Sequence, residues 1–308
     1  MTLKPLVDRC VYVVVRTFVC LIQSVSIDAC QSLARGLAWF AYDVAKIRRG
    51  VIDDNLRHAL PERTDAERRR IARDMWEHLV LMVCEIVHAP RKLHETNWRK
   101  FVTIERKPEI VRQLLDPRPT CLVAGHYGNF ELGGYMTGVL GFVTHTVART
   151  LDNPYLDDFL LRFREAKGQF ILPKVGSASQ ADAVLQTGGT LVLLGDQNAG
   201  ERGCKVTFLN RPTTCHKALA LFTLVSGAPM MVTYCRRRGR PMHFEIGITG
   251  IADPAHGGPE LADARKLSQW YTDCLARLIR ECPDQYWWVH RMWKKSEEQA
   301  RAATKAAA

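Results

Sequence analysis

Between residues 120 and 251 the chain alternates short β-rich apolar runs with longer amphipathic ones, and this alternation limits its fold more than any other feature. The β-rich runs are TCLVA (120–124), FVTHTVART (142–150), QFILP (169–173), TLVLLGD (190–196), APMMVTYCRR (228–237) and HFEIGITGI (243–251). Between them lie the helix candidates ELGGYMTGVLG (131–141), NPYLDDFLLRFREAKG (153–168), SASQADAVLQTGG (177–189) and HKALALFTLVSG (216–227). A long amphipathic stretch, ELADARKLSQWYTDCLARLIRECP (260–283), follows. Strands separated by helices of this length predict an α/β fold, with a mixed, mostly parallel sheet flanked by helices. In such sheets active sites gather at the carboxyl ends of the strands.

The region before the sheet predicts helices. Residues 10–27, CVYVVVRTFVCLIQSVSI, form an apolar run interrupted by Arg16 and Gln23. A spanning helix needs about 20 mostly apolar residues, and an arginine near its middle is costly in lipid. No small-residue cleavage site follows, which argues against a removed signal peptide. The run reads as a membrane anchor, spanning or interfacial, or else as a buried core helix. Further on, Thr64 precedes Glu67 by three residues, a capping-box pattern. Leu79, Met82, Val83 and Ile86 recur at helical spacing, and Pro90 is expected to end that helix. The expected division is a membrane-anchoring helical segment (1–48), a main domain (49–295) and a polar tail (296–308).

Ten cysteines occur without a CxxC pair or zinc-like Cys/His spacing, so they read as reduced, mostly buried small side chains. The formal net charge of +11 suggests an anionic partner: nucleic acid, an acidic lipid surface or an acidic carrier. There is no GxSxG elbow, Walker loop or GxGxxG, so none of these motifs supports a serine hydrolase or nucleotide-binding reading. His126, His145, Asp196 and His216 fit no standard metal spacing, so a metal is not expected.

The most informative stretch is Gly125-His126-Tyr127-Gly128-Asn129-Phe130-Glu131, directly after the run at 120–124. His126 should emerge at a strand's carboxyl end, and Asn129 can cap the next helix, placing Glu131 in its first turn. On one continuous helix the two side chains would point about 140° apart, so a histidine in the turn and a glutamate on the helix pair better. A carboxylate on one ring nitrogen fixes the tautomer and makes the other nitrogen a stronger base. A structural histidine beside a capping glutamate has the same pattern. Asp196 follows another strand, as a candidate or an ordinary loop aspartate. Arg149 also ends a strand and suits a phosphate or carboxylate, or else the plain surface. The block PDQYWWVHRMWKK (283–295) sets Tyr286, Trp287, Trp288 and Trp293 beside His290, Arg291, Lys294 and Lys295. Such a mixture suits a membrane interface, a lipid phosphate, single-stranded nucleic acid, or an aromatic core strand with a solvated basic end.

Six blocks in order resemble the late acyltransferases of lipid A biosynthesis, of the lauroyl/myristoyl type. They are RRGVIDDNLRHALPE with Asn55, Leu56 and Pro61, GHYGNFELGG, ARTLDNPYLDDFL, LLGDQNAG, KALALFTLVSGAPMMV and PDQYWWVHRMWK. The resemblance implies a glycerolipid-acyltransferase-like fold at the cytoplasmic face of the inner membrane, with no metal and no bound organic cofactor. It implies transfer of an acyl chain from acyl carrier protein, or coenzyme A, to a hydroxyl of a lipid A precursor or related glycolipid. His126 would be the base and Glu131 its acidic partner, with Arg149, Asn153, Asp196, Gln197, His290 and Arg291 toward substrate. Phe208-Leu209-Asn210 departs from the family's Phe-Phe-Gly, His216 stands where Gly or Thr is common, and Met292 replaces an arginine. These departures bear on substrate and chain length, and relatives acylate other glycolipids, including phosphatidylinositol mannosides. A non-catalytic lipid-binding protein of the same fold is the other class of function, and nucleic acid is not an expected partner. The basic charge predicts that donor docking weakens as salt rises; a flat salt dependence of the donor's Kd would count against electrostatic docking.

Overall fold

The computed structural model describes residues 3–174 and 176–293. Lys294, Lys295 and the expected polar tail lie outside the described residues. Four helices come first: α1 (Lys4–Ser24), α2 (Ile27–Trp39), α3 (Arg49–Ala59) and α4 (Asp65–Lys92), with one π-type turn at Phe40–Val44. Ser26 caps α2 by accepting from the Ala29 amide at 3.2 Å. Thr64 and Glu67 form the expected capping box, with the Thr64 N–H donating to Glu67 at 2.7 Å and the Glu67 N–H to Thr64 Oγ1 at 3.3 Å. Pro90 does not end α4 as expected; the helix runs on to Lys92. So near the end the missing N–H costs only one intrahelical bond.

The sheet region contains β1 (Val102–Ile104), α5 (Lys107–Leu114), β2 (Thr120–Ala124), α6 (Phe130–Val139), β3 (Thr144–Ala148) and α7 (Pro154–Glu165). Then come β4 (Gln169–Pro173), α8 (Ser177–Gln186), β5 (Thr190–Leu194), β6 (Cys204–Phe208) and β7 (Arg211–Cys215). The last elements are α9 (Lys217–Ser226), β8 (Met230–Arg237), β9 (Phe244–Ala252) and α10 (Ala264–Glu281). Seven strands make one sheet in the order β1-β9-β8-β2-β5-β3-β4. All neighbours are parallel except β8 and β9, whose short link allows an antiparallel return but no crossover helix. The fold is therefore α/β with a mostly parallel sheet.

Sequence patterning did not reveal β1, α5 or the separate β6–β7 hairpin. The hairpin turns at Leu209 (φ 47°) and Asn210 (φ 69°), so both central residues are left-handed, as in a type I′ turn. Leucine is an unusual residue there, which hid the turn from composition. The glycines that weakened α6 as a helix candidate serve packing. A side chain at Gly138 would collide with the Lys167 carbonyl, so α6 lies closer to the start of β4 than any other residue would allow.

Helix α1 is not a core helix, because none of its residues is buried. Its half-buried face carries Asp8, Tyr12, Val15, Val19, Ile22 and Gln23. The Asp8 carbonyl accepts from Asn153 Nδ2 at 2.8 Å, Arg16 lies 4.7 Å from the Phe159 ring centroid, and Gln23 Nε2 donates to the Val87 carbonyl at 3.0 Å. The apolar side chains Leu6, Val7, Val14, Phe18 and Leu21 are exposed instead. Among the described residues no helix is long and apolar enough to cross a membrane. Helix α2 packs through Cys30 and Ala34 on Leu81 and Cys84 of α4.

A buried polar network ties α4 to the sheet. Glu85, fully buried, accepts from Arg237 Nε and Nη2, each at 2.7 Å, from the Met242 N–H at 3.0 Å and from Asn129 Nδ2 at 3.1 Å. Four donors saturate the carboxylate and offset its desolvation. Glu85→Ala is expected to lower stability by about 3–5 kcal/mol, because it strands the Arg237 guanidinium. Denaturant unfolding checks this, and a loss below about 1 kcal/mol would mean that the arginine finds other partners or water.

Candidate active site

Strands β2 and β5 pair in register from Thr120↔Thr190 to Ala124↔Leu194. Each then continues through one glycine, Gly125 or Gly195, and the Gly195 N–H donates to the Ala124 carbonyl at 2.8 Å. The next residues, His126 and Asp196, therefore leave the sheet side by side. The His126 backbone N–H donates to Asp196 Oδ2 at 2.7 Å, and ring Nδ1 lies 2.8 Å from Oδ1. Both oxygens of one buried carboxylate thus hold one histidine, by backbone and by ring. Phe130 and Trp287 pack edge-on against the imidazole, with centroids 5.1 and 5.0 Å away.

An ionised Asp196 requires a proton on Nδ1, so Nε2 is left as the basic nitrogen. It faces Gln197, whose Nε2 is 3.2 Å away. Burial disfavours the imidazolium, but the charge and hydrogen bond of Asp196, with the more distant Glu131, outweigh it and raise the His126 pKa. For Asp196, burial pushes upward, and the His126 charge with its two hydrogen bonds brings the net shift downward. This is the arrangement of a general base with an orienting carboxylate.

The expected His126–Glu131 hydrogen bond is absent. Glu131 does lie in the first turn of α6, capped by Asn129, whose side chain accepts from the Leu132 N–H at 3.2 Å. Its carboxylate instead takes the Arg164 fork of α7, at 3.0 Å from Nε and 2.5 Å from Nη2. A bidentate guanidinium is the stronger partner, and nothing in the local spacing of residues 126–131 pointed to an arginine thirty-three positions away. Glu131 acts on His126 only through space.

The other candidates divide. Gln197 and His290 join His126 and Asp196 around one cavity. Arg149 is 74% exposed, pairs with Asp152 at 2.9 Å and lines a second cavity. Asn153 is committed to structure: it caps α7 through the Tyr155 N–H at 3.0 Å and donates to the α1 backbone. Arg291 is exposed and lines neither cavity. The aromatic block is neither a strand nor an exposed belt. Tyr286 and Trp288 are core residues, and Trp287 alone turns to the imidazole. Among the described residues no group of three or more His, Cys, Asp or Glu is placed to hold a metal ion.

Residues that no local motif marks shape the turn after His126. Gly128 has φ 61°, and a side chain there would strike the Cys235 carbonyl. Its own carbonyl lies 3.2 Å from His78 Nε2, while His78 Nδ1 meets Arg237 Nη1 at 3.0 Å. Burial and then the Arg237 charge keep His78 neutral, its pKa well below the ordinary value. On the far side Asn55 of α3 donates to the Trp288 and His290 carbonyls at 2.7 and 2.8 Å, clamping the loop that carries Trp287. These contacts join residues from 50 to 235 positions apart, so only the fold reveals them.

Two cavities meet at His126. One, about 530 Å³, runs along a sheet face past Leu122, Val192, Met231 and Ile248 and is mostly apolar. The other, about 280 Å³, has a mixed wall, with Arg48, Gln197 and His290 beside Tyr286, Trp287 and Val289. His126 and Gln197 line both.

Asp196→Asn removes the charge that raises the His126 pKa and leaves the burial that lowers it. The His126 titration midpoint, read by NMR, should fall below its ordinary value of about 6.5. In the parent the raised pKa contributes stability that is complete below about pH 6.5 and lost as pH rises through the folded-state value. Asp196→Asn should abolish that contribution; an unshifted midpoint would mean that the carboxylate does not control the ring.

The description "Bacterial lipid A biosynthesis acyltransferase" fits residues 4–295 of this chain. The chain is similar to the lipid A biosynthesis lauroyltransferase of Escherichia coli (strain K12), 24% identical over 86% of this chain and 85% of the relative. It is 21% identical to the palmitoleoyltransferase of the same strain over 81% and 79% of the two chains. It is 23% identical to the phosphatidylinositol mannoside acyltransferase of Mycobacterium tuberculosis (strain ATCC 25618 / H37Rv), over 80% and 81%. Among solved structures, the 1-acyl-sn-glycerophosphate acyltransferase PlsC of Thermotoga maritima aligns with a TM-score of 0.41 and 14% identity, over 88% of this chain and 100% of that one. With a family match over nearly its whole length, this chain belongs to the bacterial lipid A biosynthesis acyltransferases.

Proposed function

We propose that this protein moves a fatty acyl group from the thioester of an acyl carrier protein, or of coenzyme A, to a hydroxyl of a lipid A precursor or related glycolipid. The observation that carries the reading is the position of His126, with Nδ1 held by Asp196 and the ring at the junction of an apolar groove and a smaller chamber of mixed lining. The groove suits the acyl chain, since burying methylenes is favourable at about 0.8 kcal/mol each. The acceptor hydroxyl then displaces the Gln197 amide and gives its proton to Nε2. Its oxygen forms the new bond to the thioester carbonyl carbon. The tetrahedral intermediate collapses, the carbon–sulfur bond breaks, and the imidazolium returns the proton to the thiolate.

Asp196 is assigned the orienting role, and Glu131 a through-space charge together with its ion pair to Arg164 in the groove wall. Arg149 at the groove mouth suits an anionic substrate group, and the net charge of +11 suits an acidic carrier. The exposed apolar side of α1 supports residence at a membrane interface, and we place the protein at the cytoplasmic face of the inner membrane. The mannoside-acylating relative supports a second acceptor class, other glycolipids. A purely lipid-binding role has no use for a tautomer-locked histidine with its basic nitrogen toward both cavities.

Lipid mass spectrometry of cells with and without the protein should show one added acyl ester. With purified protein, His126→Ala should lower turnover by about 10²–10⁴-fold, Asp196→Asn by a similar factor, and Glu131→Gln by less than either. Parental turnover in His126→Ala would remove the general base from this proposal.

A further inference from the structure

The smaller chamber beside His126 has an arginine in its wall. Arg48 stands in its lining, with Nη1 donating to the Val289 carbonyl at 2.8 Å. Among the described residues the guanidinium has no carboxylate partner within ion-pair distance. Its neighbour Arg49, by contrast, pairs with Asp53. The one carboxylate lining the chamber, Asp196, has both oxygens taken by the N–H groups of His126. Arg48 is thus an exposed cation without a carboxylate partner, in the wall of a cavity of about 280 Å³.

The backbone here is held in an uncommon form. Lys46 and Arg48 are both left-handed, with φ 52° and 53°. Non-glycine residues keep this conformation only where the surroundings impose it, and such sites cluster at ligand clamps. The Ile47 N–H, donating to the Ala41 carbonyl at 2.8 Å, helps to impose it. Just before this bend the chain exposes Trp39, Phe40, Val44 and Ile47. In sequence order an exposed apolar strip leads to a cation, and the cation borders a chamber that ends at the basic nitrogen.

That order matches one amphiphile with an apolar body, an anionic head and a reactive hydroxyl. The apolar groove on the other side of the imidazole already takes the acyl chain of the donor. Two substrates that react at one nitrogen must reach it from different directions. We propose that the chamber is the acceptor head-group site and that Arg48 binds a phosphate ester of the lipid acceptor. This inference rests on the function proposed above.

The test uses the full-length protein in mixed micelles, with Arg48→Ala and Arg48→Lys, and an unfolding curve for each variant as a control. The acceptor is offered with its phosphate and after enzymatic removal of the phosphate. A hydrogen bond to a charged group is strong enough that Arg48→Ala should raise the KM for the phosphorylated acceptor about ten- to a hundredfold. The dephosphorylated acceptor should give parent and variant the same KM, the donor KM should not move, and Arg48→Lys should restore part of the loss. An unchanged acceptor KM would overturn the inference. So would a shift in the donor KM alone, which would assign Arg48 to a phosphate of the carrier arm. If the parent protein acylates neither lipid, the proposed function itself fails and this inference falls with it.

Discussion

The site depends on a single carboxylate holding one histidine twice. Asp196 binds both the backbone N–H and the ring Nδ1 of His126, and both residues are fixed because β2 and β5 end in register. A parallel pair of strands delivers its carboxyl ends to the same edge, so residues seventy positions apart become neighbours. Neither partner needs a long flexible side chain, and little entropy is lost in bringing them together. The same contact sets the tautomer, raises the basicity and orients the free nitrogen toward the two cavities.

Around this pair, buried polar groups are spent on keeping a turn in shape. Glu85, Arg237, His78 and Asn129 hold the Tyr127–Asn129 turn from one side, and Asn55 holds the aromatic loop from the other. Such a network is costly unless every member is satisfied, and here the central carboxylate has four donors. The imidazole therefore sits in a rigid frame, which suits catalysis by positioning.

The N-terminal helix carries apolar side chains on its outer side as well as its inner one. The Asp8 backbone, Arg16 and Gln23 touch the cap of α7, Phe159 and α4; Tyr12, Val15, Val19 and Ile22 are half-buried, and other valines, leucines and a phenylalanine face outward. Arg16 seemed the obstacle to a lipid-facing reading, because a charge in hydrocarbon is expensive. Its place over Phe159, against the protein, removes that objection for a helix lying on a surface.

Alternation of β-rich and amphipathic runs settled the α/β class and the parallel sheet, because a period-two run and a 3.6-residue run bury different faces. The placement of His126 and Asp196 at strand ends was also legible, since each follows an apolar run through a glycine. Local capping could be read at Thr64 and Asn129 for the same reason: the interaction spans three residues. The partner of the imidazole could not be read this way. Glu131 is near in sequence and Asp196 is not, and only the strand order β2-β5 puts Asp196 on Nδ1 and leaves Glu131 to Arg164. The β6–β7 hairpin, the buried network around Glu85 and the placing of Arg48 at the chamber were likewise decided by tertiary structure. Periodicity reports which face of an element is buried, whereas these features depend on which elements meet.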